Sequence, residues 1–111
     1  MGVTLRDRVR MWFLKVPSSQ VAQAVAAIEQ SGGQISTDVL VSHYLASGNI
    51  QAVSTAISML LQAGQQPDQN LIFAADLAGV DVVSAVDDAL RQRAPVNELL
   101  CARIRSVFGE N

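Results

Sequence analysis

Residues 49–64 read Asn-Ile-Gln-Ala-Val-Ser-Thr-Ala-Ile-Ser-Met-Leu-Leu-Gln-Ala-Gly, and this stretch decides the fold class. Ile50, Val53, Ile57, Leu60 and Leu61 recur at steps of three and four, which puts them on one face of a helix. Asn49 supplies an N-cap oxygen just before the first apolar residue. Gly64 stands just past the last, where a helix commonly turns left-handed and glycine is preferred. The same signature recurs on both sides. Val21, Ala24, Val25 and Ile28 lead to Gly32; Leu40, Val41, Tyr44 and Leu45 lead to Gly48; Ile72, Ala75 and Leu77 lead to Gly79. A further run, Val82, Val83, Val86 and Leu90, follows. Helix starts are marked by Pro17-Ser18-Ser19, Ser36-Thr37, Pro67-Asp68, Asp81 and Pro95. The glycines at 32, 48, 64 and 79 are 16, 16 and 15 residues apart.

Two helices then make a repeat of about 32 residues: Val21 matches Val53, Val25 matches Ile57, Ile28 matches Leu60, and Gly32 falls on Gly64. One such hairpin is too small to bury its own apolar face, so neighbours must stack. The expectation is an all-α chain of six or seven short helices, in a compact bundle or a stacked helical-hairpin array. Residues 1–111 would form a single helical domain: a basic amphipathic segment over 1–16, a hairpin core over 17–92, and a C-terminal helix within 93–111.

Composition narrows the function classes. Half of the 111 residues are apolar and 16% charged, which excludes intrinsic disorder. One cysteine excludes a disulfide framework, and with one histidine it excludes an ordinary tetrahedral zinc site. Residues 39–67 lack any Asp, Glu, Lys or Arg, but Ser42, His43, Gly48, Asn49, Gln51 and Gln62 break the run too often for a membrane-spanning helix. The net charge of −2 speaks against nucleic acid as a partner. That average hides a segregation. Residues 1–16 carry Arg6, Arg8, Arg10 and Lys15 against Asp7 alone, residues 17–90 hold seven acids and no Lys or Arg, and residues 91–111 return to four cations against two acids.

Few residues invite chemistry. His43 has no second histidine as a co-ligand, and Asp38 is poorly placed as a partner; the simplest reading is a partly buried helix histidine bonded to a backbone carbonyl. Cys101, flanked by Leu100 and Ala102, reads as a buried structural residue. Asp76, Asp81, Asp87 and Asp88 form an acidic cluster without the alternate ligand spacing and glycine turn of a calcium loop. Asp81 reads as an N-cap, and Asp87-Asp88 as a solvated face. An acid–base site would need His43 to meet an acid from 76–88 in a pocket. No Gly-rich phosphate loop or nucleophile motif is present. Neither a cofactor nor a metal is therefore expected, and the chain does not read as an enzyme.

The two ends are cationic. A helix over Leu5–Val16 would align Leu5, Val9, Trp12, Phe13 and Val16, with Arg6, Arg10 and Lys15 largely off that stripe. Aromatic residues flanked by cations fit a helix lying on an anionic membrane; the same stripe fits docking on the helical core or on another subunit. Val96–Phe108 would align Leu99, Leu100, Arg103, Ile104 and Val107.

Three strings resemble a known family. Residues 39–50, Val-Leu-Val-Ser-His-Tyr-Leu-Ala-Ser-Gly-Asn-Ile, are similar to the "LE-x-HYLAGGNV" stretch of bacterial flotillin-like membrane scaffold proteins. Residues 74–86, Ala-Ala-Asp-Leu-Ala-Gly-Val-Asp-Val-Val-Ser-Ala-Val, resemble that family's "AAIDLAGRDVLEAV" stretch. Arg10–Pro17 is similar to the basic segment ending in Val-Pro that precedes its first helix. The likeness covers about residues 2–88; Ser47, Ile50 and Val80 depart from it. It implies the helical region that lies between a hydrophobic anchor and a band-7 domain, and oligomeric scaffolding in place of catalysis. His43, Tyr44, Gly48, Asn49, Asp76, Gly79 and Asp81 carry the likeness, with structural roles in turns, caps and contacts between hairpins. Arg6, Arg10, Trp12, Phe13 and Lys15 are the expected membrane- or subunit-facing element. The expected partners are protein, a second copy in a homo-oligomer, or peripherally an anionic membrane, at a cytoplasmic location or the inner face of the membrane. The competing expectation is a small regulatory adaptor, for example from a mobile element, that takes a peptide or small ligand in a groove between helices.

Overall fold

The computed structural model describes residues 16–109; Arg6, Arg10, Trp12, Phe13 and Lys15 lie outside them. The described residues form six α-helices and no strand: α1 (Ser18–Gln30), α2 (Thr37–Leu45), α3 (Ile50–Gln62), α4 (Gln69–Leu77), α5 (Val82–Gln92) and α6 (Val96–Val107). The chain is all-α. The first residues of α1, α3 and α5 are 32 apart in sequence, as are those of α2 and α4.

The helices begin where side-chain oxygens can take up free backbone N–H groups. Ser36 Oγ accepts from Asp38 N, Asn49 Oδ1 from Ala52 N, Asp68 Oδ1 from Leu71 N, and Asp81 Oδ1 from Ser84 N, at 3.0–3.2 Å. Pro17 and Pro95 open α1 and α6 with no side-chain cap. Helices α1 to α5 end alike: a residue with positive φ follows, and the next N–H reaches back to a carbonyl five residues earlier. In α1 this bond runs from Gly33 N to Ile28 O (2.9 Å), and in α2 from Gly48 N to His43 O (2.8 Å).

The left-handed position after α2 is Ser47 (φ 72°), and not Gly48 as the glycine spacing implies. Gly48 is fixed by a close approach to His43. An L residue with a Cβ at positive φ costs on the order of 1 kcal/mol. Ser47→Gly is therefore expected to raise stability by about 0.5–1 kcal/mol, readable as a higher thermal midpoint.

Helix α3 is the hub, packing against α1, α2, α4 and α5. Ile50, Val53, Ile57 and Leu60 are buried along it, and each such side chain gains roughly 1.5–3 kcal/mol on leaving water. Val21, Ala24, Val25 and Ile28 face it from α1; Val82, Ala85, Val86 and Ala89 line the buried side of α5. The α1–α2 turn sits close on α3, since a Cβ at Gly33 would come 2.5 Å from Leu61 Cδ1. Helix α6 packs on α5 and α4 through buried Val96 and Leu100.

Several expected stripe residues face water. Tyr44, Leu45, Leu77 and Val107 are exposed, because α2, α4 and α6 bury narrower faces than the triplet spacing implied. His43 is buried in place of Tyr44 and Leu45. Cys101 is half-buried, against its reading as a buried residue, because α6 turns only Val96 and Leu100 fully inward.

The end of the array is held by charge. Asp88 takes hydrogen bonds from Arg103 (2.8 Å) and Arg91 (3.3 Å), and Arg91 also meets Asp87 (2.8 Å). Asp87-Asp88 is thus a paired face, with two of the C-terminal cations on it. The Arg103 hydrogen bond holds the Asp88 carboxyl below its ordinary value. A carboxyl depressed in the folded state stabilises it above the unfolded pKa of about 4, and that gain is lost as pH falls through the lower folded value. Arg103→Ala is expected to lower the thermal midpoint near neutral pH and to match the wild type in acid below the Asp88 transition, as melts across pH will show.

Candidate functional site

Four of the seven residues that carried the sequence likeness, His43, Gly48, Asn49 and Asp76, converge on one joint. His43, in the last turn of α2, places Nε2 2.7 Å from Asp76 Oδ2, at the end of α4. An ionised carboxylate only accepts, so Nε2 carries the proton and donates. The same Asp76 oxygen accepts the backbone N–H of Asn49 at 2.7 Å, at the head of α3. Asn49 meanwhile turns its own side chain forward to cap Ala52. Asp76 therefore joins the ends of three helices through one oxygen. Its charge lies at the positive N-terminal end of α3, an arrangement worth about 0.3–1 kcal/mol.

The imidazole is packed on its faces as well. Phe73 of α4 lies against it, with ring centroids 4.8 Å apart and an interplanar angle of 35°. The Gly48 Cα approaches so closely that an added Cβ would overlap the ring. Only 3% of the His43 side chain is exposed, and 10% of that of Asp76. His43 is thus bonded to a carboxylate 33 residues away, and not to a backbone carbonyl as its sequence context implied.

An acid from the 76–88 cluster does meet His43. The rest of the cluster disperses, with Asp81 capping α5 and Asp87 and Asp88 paired with arginines. Gly79 (φ 94°) turns the chain between α4 and α5. Val80, where the family string has arginine, is buried in the core. Tyr44 is exposed. Among the described residues no group of three His, Cys, Asp or Glu side chains is placed to hold a metal. The hydrogen bonds that Asp76 accepts from His43 and Asn49 tie three helix ends together.

Beside the joint an open groove of about 370 Å³ runs between α2 and α4, lined by Asp38, Val39, Ser42, His43, Ala46, Phe73 and Leu77. A second depression adjoins it through Val39, reaching Glu29, Gln34, Ile35, Ser36 and Gln69. The sequence carries no signal for this groove, because the periodicity that put Leu77 on a helix stripe does not report which face the neighbouring helix leaves open.

The family profile of flotillin-like protein FloA matches residues 1–103. The chain belongs to the flotillin-like FloA family. It is 34% identical over 100 residues to the flotillin-like protein FloA of Desulfosudis oleivorans, an alignment covering 90% of this chain and 31% of that protein. The FloA of Desulforapulum autotrophicum gives the same figures, and FloA 1 of Rhodopirellula baltica is 36% identical over 94 residues, covering 79% of this chain and 27% of its own. The chain thus spans about a third of the length of these FloA relatives. No solved structure matches it. No helix among the described residues is long and apolar enough to cross a membrane.

Proposed function

We propose that this chain is a non-enzymatic helical scaffold module of the FloA family, which acts by presenting helix faces for self-association or for a protein partner. The observation that carries this reading is the convergence of His43, Gly48, Asn49 and Asp76 on one buried joint. These residues, which carried the sequence likeness, build a rigid junction between hairpins, and the groove beside it is apolar. Catalysis would need a reacting group in reach of a proton-transfer pair that both residues leave open to substrate. Arg6, Arg10, Trp12, Phe13 and Lys15 are the proposed contact element, towards a subunit or peripherally towards an anionic membrane at its inner face. The family match lends no support to a regulatory adaptor.

Light scattering of the purified chain tests self-association. A mass that is a multiple of 11.8 kDa supports it, and 11.8 kDa at high concentration would refute it. Flotation with anionic vesicles at low and high salt tests the membrane contact, with salt-sensitive binding expected.

A further inference from the structure

We propose that the groove between α2 and α4 pairs with the same groove of a second copy about a two-fold axis, the Leu77 of each copy lying in the groove of the other. The proposal rests on the self-association reading and names the surface and the symmetry through which it works.

The patch carries both halves of such a contact. Its hole is the open groove of about 370 Å³, with Phe73 and Ala46 in its lining. Its knob is Leu77, on the wall of that same groove, which leaves 48% of its surface in water. A two-fold contact needs knob and hole on one surface, because each copy must offer the other what it receives. Val39, across the groove on α2, is 39% exposed, so an incoming leucine would come to rest between two apolar walls.

The charge pattern permits self-pairing here. Near a two-fold axis each side chain faces its own copy, and a charged patch would repel itself. Residues 39–67 contain no Asp, Glu, Lys or Arg. The single charged side chain of α4 is Asp76, which is 10% exposed and bonded to His43 and Asn49. Helices α2 and α4 run side by side in the same direction, since His43 and Asp76 meet near their ends while Val39 and Gln69 share the depression near their starts. Leu77 therefore closes one end of the groove, and Asp38, in the first turn of α2, stands at the other. An axis along α4 beside Leu77 keeps the two Asp38 carboxylates apart and brings the two leucines together.

Size sets the strength. Both helices are nine residues long, about 14 Å each. Two such helices offer less than the roughly 800 Å² that a standard interface takes from each partner, so the pairing belongs to the weaker, concentration-dependent class.

Leu77→Arg and Leu77→Glu test both the surface and the symmetry. Leu77 is exposed, so neither substitution disturbs the core, and circular dichroism checks that each variant keeps its helices. Light scattering of the wild type across a concentration series should rise from 11.8 kDa towards twice that mass. Each variant alone should associate at least tenfold more weakly, because like charges then meet at the axis. An equimolar mixture of the two should recover association, since arginine then meets glutamate, and added salt should weaken that recovery. A wild type that stays at 11.8 kDa at high concentration overturns this pairing and the self-association reading together. Variants that associate as strongly as the wild type overturn the groove alone and leave self-association standing. A mixture no better than either variant overturns the two-fold pairing, since a contact that does not bring Leu77 to Leu77 gives no recovery.

Discussion

Gly48→Ala is expected to cost about 2–3 kcal/mol, from overpacking the joint and from breaking its hydrogen bonds. The new methyl group would occupy the space of the His43 ring, and neither side can easily retreat. The ring is held by Asp76 and stacked on Phe73, while the Gly48 N–H is bonded to the His43 carbonyl at 2.8 Å. At roughly 4–8 °C per kcal/mol for a domain near this size, the thermal midpoint should fall by about 8 °C or more. The mechanism has a sharper signature than the magnitude. In a His43→Ala background the ring is gone, so Gly48→Ala should then cost only a few tenths of a kcal/mol, and the two substitutions should be strongly non-additive. Additive losses in a double-mutant cycle would show that the glycine is needed for some other reason.

Asp76→Ala is the second large effect. It leaves the His43 Nε2–H and the Asn49 N–H without their acceptor, and a buried unpaired donor costs about 1–3 kcal/mol. Because Asn49 lies at the exposed edge and can turn to water, the expected total is about 2–4 kcal/mol rather than two full penalties. Asp76→Asn keeps one carbonyl acceptor and should lie between wild type and alanine. Chemical denaturation with a fitted slope is the suitable measurement, since an unchanged slope shows that stability and not the extent of unfolding has altered. Equal stability of the alanine and asparagine variants would count against a carboxylate acting through its acceptor geometry.

These effects rest on contacts that were only half legible in the sequence. The spacing of Val21, Ala24, Val25 and Ile28 identified the buried face of α1 correctly, because a helix with one dry side leaves a 3.6-residue trace. The caps Ser36, Asn49, Asp68 and Asp81 were equally readable, since their bonds close within three residues. The joint was not. His43 and Asp76 are 33 residues apart, and no local rule pairs them; only the likeness to a family marked both as belonging to one set. Gly48 shows the same limit from the other side. Helix-end glycines read as turn residues, but here the turn falls on Ser47 and the glycine answers to a ring five residues earlier. Leu77 falls on an apolar stripe in the sequence and is nonetheless exposed, because periodicity reports which residues could face inward, and not which face the next helix covers.

The Asp76 carboxylate has one more consequence, for the way the chain comes apart. Helices α1 and α2 make up one hairpin and α3 and α4 the next, and in a simple stack the first could open while the second stayed closed. A single oxygen that accepts from His43 in α2 and from Asn49 at the head of α3 removes that freedom. Opening α2 exposes the α3 end, so the two should exchange their amide hydrogens together. The Asn49 amide, next to a solvent-exposed turn, is then expected to be protected from deuterium to the same degree as the buried centre of α3. Asp76→Ala would release it to exchange as fast as any loop amide.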